Sequence, residues 1–122
     1  MKILKIDPGK APEVMEIEDS LETMQSIVGG MIQAVYPFEE PVAMIVNDEG
    51  KLTGLEMNRS LRASDTGIIY DIVCGTFFLC GAPADSENFT DLTEEQLSYY
   101  TDYYKNPEVF LRTELGIVVL KM

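Results

Sequence analysis

Apolar residues fall in short blocks separated by Pro, Gly, Asn and Asp, and the spacing inside the blocks switches between the period of a strand and that of a helix. Residues 3–6 and 14–17 have strand character and flank Asp7-Pro8-Gly9-Lys10-Ala11-Pro12, which predicts an N-terminal hairpin. Leu21, Met24, Ile27 and Val28 then recur at helical intervals. Asp19 stands as N-cap with Glu22 at the capping-box distance, and Gly29 suits a left-handed C-cap, so a short helix is predicted over 20–28.

Strands are predicted at 31–36, stopping at Pro37, at 42–46, and at 51–55 after the turn Asn47-Asp48-Glu49-Gly50. Residues 58–64 carry Arg59 and Arg62 one helical turn apart and read as a short helical turn or an irregular excursion. The strongest β signal covers 68–80 and predicts a central strand, with Gly75 marking a bulge or a close packing contact. After a loop over 81–90, Thr93 and Gln96 form a capping box and Leu92 and Leu97 a hydrophobic staple, so a helix is predicted to about Lys105. Asn106-Pro107 ends it and opens a second short helix through Arg112, and residues 117–120 close the chain as a buried strand.

These elements predict an α+β fold: a largely antiparallel twisted sheet of five to seven strands, packed by the short N-terminal helix and a C-terminal helical pair. No linker, repeat or low-complexity tract interrupts the 122 residues, so residues 1–122 are read as a single domain. Apolar residues at 46% and charged ones at 25% are enough for one folded core. Charges within residues 1–7 argue against a signal peptide, and the apolar run 72–84 is shorter than the roughly 20 residues of a spanning helix. A cytoplasmic protein is expected, with no membrane partner.

Charge narrows the function classes. There are 21 acids against 9 bases, and no base between Arg62 and Lys105, so direct nucleic-acid binding is disfavoured. The acidic surface then serves solubility alone or docks on a basic protein partner. Cys74 and Cys80 would lie about 20 Å apart on one face of a continuous strand, too far for a disulfide, and read as small buried hydrophobes. With no His and no Cys-x-x-Cys, a structural zinc site has no ligand set, and no cofactor is expected. Ser20, Ser60 and Thr76 have no His base, no phosphate loop or dinucleotide fingerprint occurs, and so many acids make any carboxylate pair uninformative. No catalytic residue is nominated.

Two sets of residues remain as binding candidates. Asn47, Asn58, Arg59 and Arg62 form a polar ligand-binding set if they gather beside Gly29-Gly30, since paired guanidinia hold a carboxylate or phosphate; the competing reading pairs the arginines with Glu56, Asp65 or other acids. A calcium site at Asn47-Asp48-Glu49-Gly50 fails because Lys51, Leu52 and Thr53 do not continue the ligand pattern. On the C-terminal helix, Leu97, Tyr100 and Tyr104 share a core-facing side, leaving Tyr99 and Tyr103 beside Glu95 and Asp102 as a protein-contact patch.

The block from Leu21 through Val28-Gly29-Gly30 to Gln33, the block Val46-Asn47-Asp48-Glu49-Gly50-Lys51-Leu52 with Gly54-Leu55 and Asn58-Arg59, and Ile72-Val73 with Gly75-Thr76-Phe77-Phe78 resemble a bacterial domain-of-unknown-function family. That family occurs in gut-type Gram-positive bacteria and on their phages, plasmids and conjugative elements. The resemblance implies a small accessory protein encoded on mobile DNA and brings no activity, cofactor or catalytic residue. Three functions are expected in turn: a noncatalytic interaction or regulatory domain, a small-ligand-binding or enzymatic domain around Asn47, Asn58 and Arg59, and an acidic nucleic-acid mimic acting against host defence.

Overall fold

The structure, a computed structural model, describes residues 1–122. Strands β1 (Lys2–Ile6) and β2 (Glu13–Glu16) form the expected hairpin, in register from Lys2 opposite Glu16 to Lys5 opposite Glu13. Helix α1 (Leu21–Val28) ends at Gly29, whose φ of 80° supplies the left-handed cap that donates to the Gln25 carbonyl. Its N-cap is Ser20 rather than Asp19: the Ser20 hydroxyl accepts from the Thr23 amide, and the box with Glu22 does not form.

Strands β3 (Ile32–Val35) and β4 (Val42–Asn47) follow, then β5 (Met57–Arg62), β6 (Ile69–Cys74) and β7 (Phe77–Gly81). Five strands form one sheet in the order β2-β1-β7-β4-β3, every neighbour antiparallel. Strands β4 and β7 lie inside it, and alternation splits their side chains between two covered faces. Val42, Met44, Phe77 and Leu79 face one way with Leu4 and Ile6; Ala43, Ile45, Phe78 and Cys80 face the other with Ile3. Met24 and Val28 of α1 cover the second face. The first is covered by α2 (Glu94–Tyr103), through Leu97, Tyr100 and the following Tyr104, and by Leu61 and Val73 from the two-stranded ribbon β5–β6. The result is an α+β domain of three layers. A second ribbon, β8 (Glu108–Thr113) with β9 (Gly116–Lys121), ends the chain.

Several expectations change. Residues 51–55 are turns, not a strand, because the Asn47 side chain accepts from the Glu49 amide and Thr53 bonds back to the Glu49 carbonyl through both amide and hydroxyl. The segment containing Asn58, Arg59 and Arg62 is the strand β5, paired with β6 across two register shifts, not a helical turn. The expected central strand over 68–80 divides at Gly75, where φ is 85°, into β6 of the ribbon and β7 of the main sheet. Cys74 and Cys80 therefore lie in different sheets, and burial pushes the Cys80 thiol up to about 12. The second member of the C-terminal helical pair is instead the strand β8: Val109, Phe110 and Leu111 find cross-strand partners in Leu120, Val119 and Val118. Residues 117–120 are a strand as expected but largely exposed rather than buried.

Candidate functional site

Helix α2 begins with both halves of the predicted capping box, the Thr93 hydroxyl accepting from the Gln96 amide and the Gln96 side chain accepting from the Thr93 amide. This start sets the helical phase. Leu97, Tyr100 and Tyr104 enter the core, and Tyr99 and Tyr103 stay 51% and 45% exposed. Their rings stack with centroids 6.2 Å apart, and Glu95 and Asp102 are exposed on the same helix. Tyr99, Tyr103, Glu95 and Asp102 are thus all exposed on α2.

Tertiary structure brings a second segment against these tyrosines. Tyr36, Pro37, Phe38, Glu39 and Glu40 from the loop after β3, with Arg62 at the end of β5 and Ser64 beyond it, line one open groove of about 700 Å³ together with the α2 tyrosines. Phe38 packs on Tyr100 at 4.7 Å, and the Tyr100 hydroxyl donates to Glu40 at 3.1 Å. Burial and then this hydrogen bond to a carboxylate raise the Tyr100 hydroxyl well above its ordinary range. Tyr103 is also raised, by burial and then by Tyr99, with Arg62, which lines the same groove, opposing the shift. Tyr36 and the 36–40 loop are what sequence reading missed. Their only signal was an aromatic pair around Pro37 in an acidic loop, which does not reveal its distance from α2.

The polar set Asn47, Asn58, Arg59 and Arg62 does not converge. The Asn47 amide donates to the Val28 carbonyl at the end of α1, and its oxygen holds the following turn. Asn58 is fully buried and donates to the carbonyls of Ile6 and Gly75, at 2.8 and 2.9 Å. Arg59 is 1% exposed and donates to the Lys10 and Tyr104 carbonyls and to the Asn58 carbonyl and side-chain oxygen. Neither Glu56 nor Asp65 pairs with it: Arg59 is held by neutral oxygens, while Glu108 spends its two carboxylate oxygens on the Ser60 amide and hydroxyl. Burial lowers the Arg59 guanidinium from its ordinary value, with Glu108 opposing that shift. Its Nε is buried without a partner. Asn58 and Arg59 thus tie the 7–12 loop, the main sheet and the end of α2 together. Only Arg62 of the four reaches the tyrosine groove.

No group of three or more His, Cys, Asp and Glu side chains is arranged to hold a metal ion, and no helix is long and apolar enough to cross a membrane. A family model described as Domain of unknown function (DUF3846) matches residues 1–105, which contain the main sheet, both helices and the groove, and stop before the β8–β9 ribbon. No curated protein and no solved structure matches the chain.

Proposed function

This chain belongs to the DUF3846 family, a domain of unknown function, and we propose that it works as a noncatalytic binding module whose tyrosine groove holds an extended, basic segment of a partner protein. The observation that carries the reading is the pair of half-exposed stacked rings, Tyr99 and Tyr103, which line one groove with Tyr36 and Phe38. A tyrosine offers an apolar face and a polar tip, and its two side-chain torsions cost little to order on binding, which is why the residue is enriched at interfaces. Glu39, Glu95 and Asp102 make the surroundings negative, and Lys or Arg side chains laid on tyrosine faces gain cation–π attraction there. Arg62, whose Nη1 also reaches the Gly67 carbonyl, lines the same groove and has further N–H groups to donate to a backbone carbonyl of the segment. The accessory role on phages, plasmids or conjugative elements that the resemblance implies is consistent with a module that acts by occupying another protein.

An array of Lys- and Arg-containing peptides, followed by titration calorimetry at two ionic strengths, tests the reading. Micromolar binding that weakens with salt is expected, and Tyr99→Ala with Tyr103→Ala should weaken it by about tenfold or more while the fold persists, because truncated aromatic anchors cost over ~1 kcal/mol each. Absence of any basic ligand, or binding indifferent to both substitutions, refutes the proposal.

A further inference from the structure

The tyrosine groove carries charges of both signs that do not meet. Arg62 lines it together with Glu39 and Glu40, yet the ion pairs of the chain are those of Met1, Lys2, Lys5 and Lys51, and Arg62 enters none of them. Its hydrogen bond from Nη1 to the Gly67 carbonyl is long, at 3.4 Å. In a chain where acids outnumber bases 21 to 9, this half-buried guanidinium has no carboxylate and no protein partner for most of its N–H donors.

The two signs also sit at different heights along α2. The Tyr100 hydroxyl donates to Glu40 at 3.1 Å, whereas Arg62 acts on Tyr103, where it opposes the rise of the hydroxyl. Tyr103 follows Tyr100 by three residues, about 4.5 Å of helix rise. The groove thus has an acidic end at the 36–40 loop and a basic end beside the 63–67 turn, with tyrosine rings along it.

This polarity constrains the basic segment proposed above. Lys and Arg side chains are drawn to Glu39, Glu40 and the tyrosine faces but repelled by Arg62, so the segment has to bring an anion to that end or forfeit part of its attraction. A mid-chain carbonyl offers the guanidinium a neutral acceptor. A carboxylate takes two parallel N–H donors, compensates the charge and makes each bond roughly twice as strong. The anion that every basic segment can supply without an acidic side chain is its own C-terminus. Carbonyls at the end of α2 would oppose an anion, but the Tyr104 carbonyl is already covered by Arg59.

Resting on the reading of the groove as a peptide site, we infer that it holds the C-terminal end of its basic partner, with the terminal carboxylate on Arg62 and the preceding Lys or Arg side chains on the tyrosines beside Glu39 and Glu40. Capture of a chain end fixes direction and register together, because one residue of the partner carries that carboxylate, whereas basic side chains alone leave the segment free to slide.

A library of eight-residue peptides with free C-termini and at least two Lys or Arg, read by fluorescence polarisation against the full chain, supplies the probe. The tightest binder is remade as the free acid, as the C-terminal amide, and as an amide with one Glu added at its end. Amidation removes a negative charge and would by itself favour an acidic protein, yet the amide should bind at least about tenfold more weakly than the acid. Arg62→Gln should bind acid and amide alike, and Arg62→Lys should recover part of the difference, since an ammonium lacks the planar fork. The comparison of acid with amide on the unmutated chain stands whether or not either variant folds. Equal binding of acid and amide, lost on Tyr99→Ala with Tyr103→Ala, overturns this inference and leaves the binding-module reading intact. An added Glu that restores the amide overturns it too, assigning Arg62 to an acidic side chain. Absence of any binder, or binding indifferent to the two tyrosines, overturns both.

Discussion

Arg59 shows how far a side chain's role depends on its surroundings. Its guanidinium is removed from water with no carboxylate in contact, which is costly for a charge unless every N–H finds an oxygen. Three main-chain carbonyls and one amide oxygen supply most of that need, and the protein keeps the charge because those carbonyls would otherwise be unsatisfied at the meeting point of three segments. Arg59→Ala should lower stability by about 3 kcal/mol, since stranded buried carbonyls cost roughly 1–3 kcal/mol each and a cavity is left behind. A urea denaturation midpoint that falls with an unchanged slope is the expected reading. Arg59→Lys should rescue little, because one ammonium cannot span the Lys10 and Tyr104 carbonyls together.

Among the elements, the ones legible in the sequence carry their own chemistry. The α2 capping box and staple, the Gly29 cap and the β1–β2 hairpin depend on residues within a few positions of one another, so local reading finds them. The break at Gly75 was harder, since a continuous run of β-formers is compatible with one strand or two. What divides it is a positive φ together with Leu55 Cδ1, which would lie 2.7 Å from an added Cβ. Gly75→Ala should therefore cost roughly 1–3 kcal/mol, counting backbone strain and the clash. Gly9→Ala, at a similar φ of 73° but with open space around it, should cost less. The difference between their thermal midpoints isolates the packing against Leu55. The C-terminal ribbon departs from its sequence pattern for a related reason: Asn106-Pro107 is equally good at ending one helix and at opening another, and the pairing of β8 with β9 that decides the outcome is a contact between segments.

Taken as one body, the molecule holds its charge at the surface and its stability in the two faces of a five-stranded sheet. Its excess of 12 negative charges repels itself in the folded state more than in the expanded one. Raising sodium chloride from about 20 to about 500 mM, which shortens the screening length from roughly 20 Å to roughly 4 Å, should raise the thermal midpoint by a few degrees. A midpoint that does not move would mean that the 12 acids in excess stand too far apart on the surface to repel one another strongly, with Lys2, Lys5 and Lys51 paired to Glu94, Asp7 and Asp71. The tyrosine groove also exists only at this level. Helical phase was enough to expose Tyr99 and Tyr103, yet the rest of the groove lining comes from a loop some 60 residues earlier, brought over by the placement of β3 and β4. The acidic balance, the lack of a His, the α+β class and the inward side of α2 followed from residue types and near-neighbour spacing, because such properties are sums or short-range geometries. The burial of Arg59, the lining of the groove by two distant segments and the pairing of the half-exposed β8–β9 ribbon were decided by the tertiary structure, because each depends on which distant segments share a neighbourhood once the strand order is set.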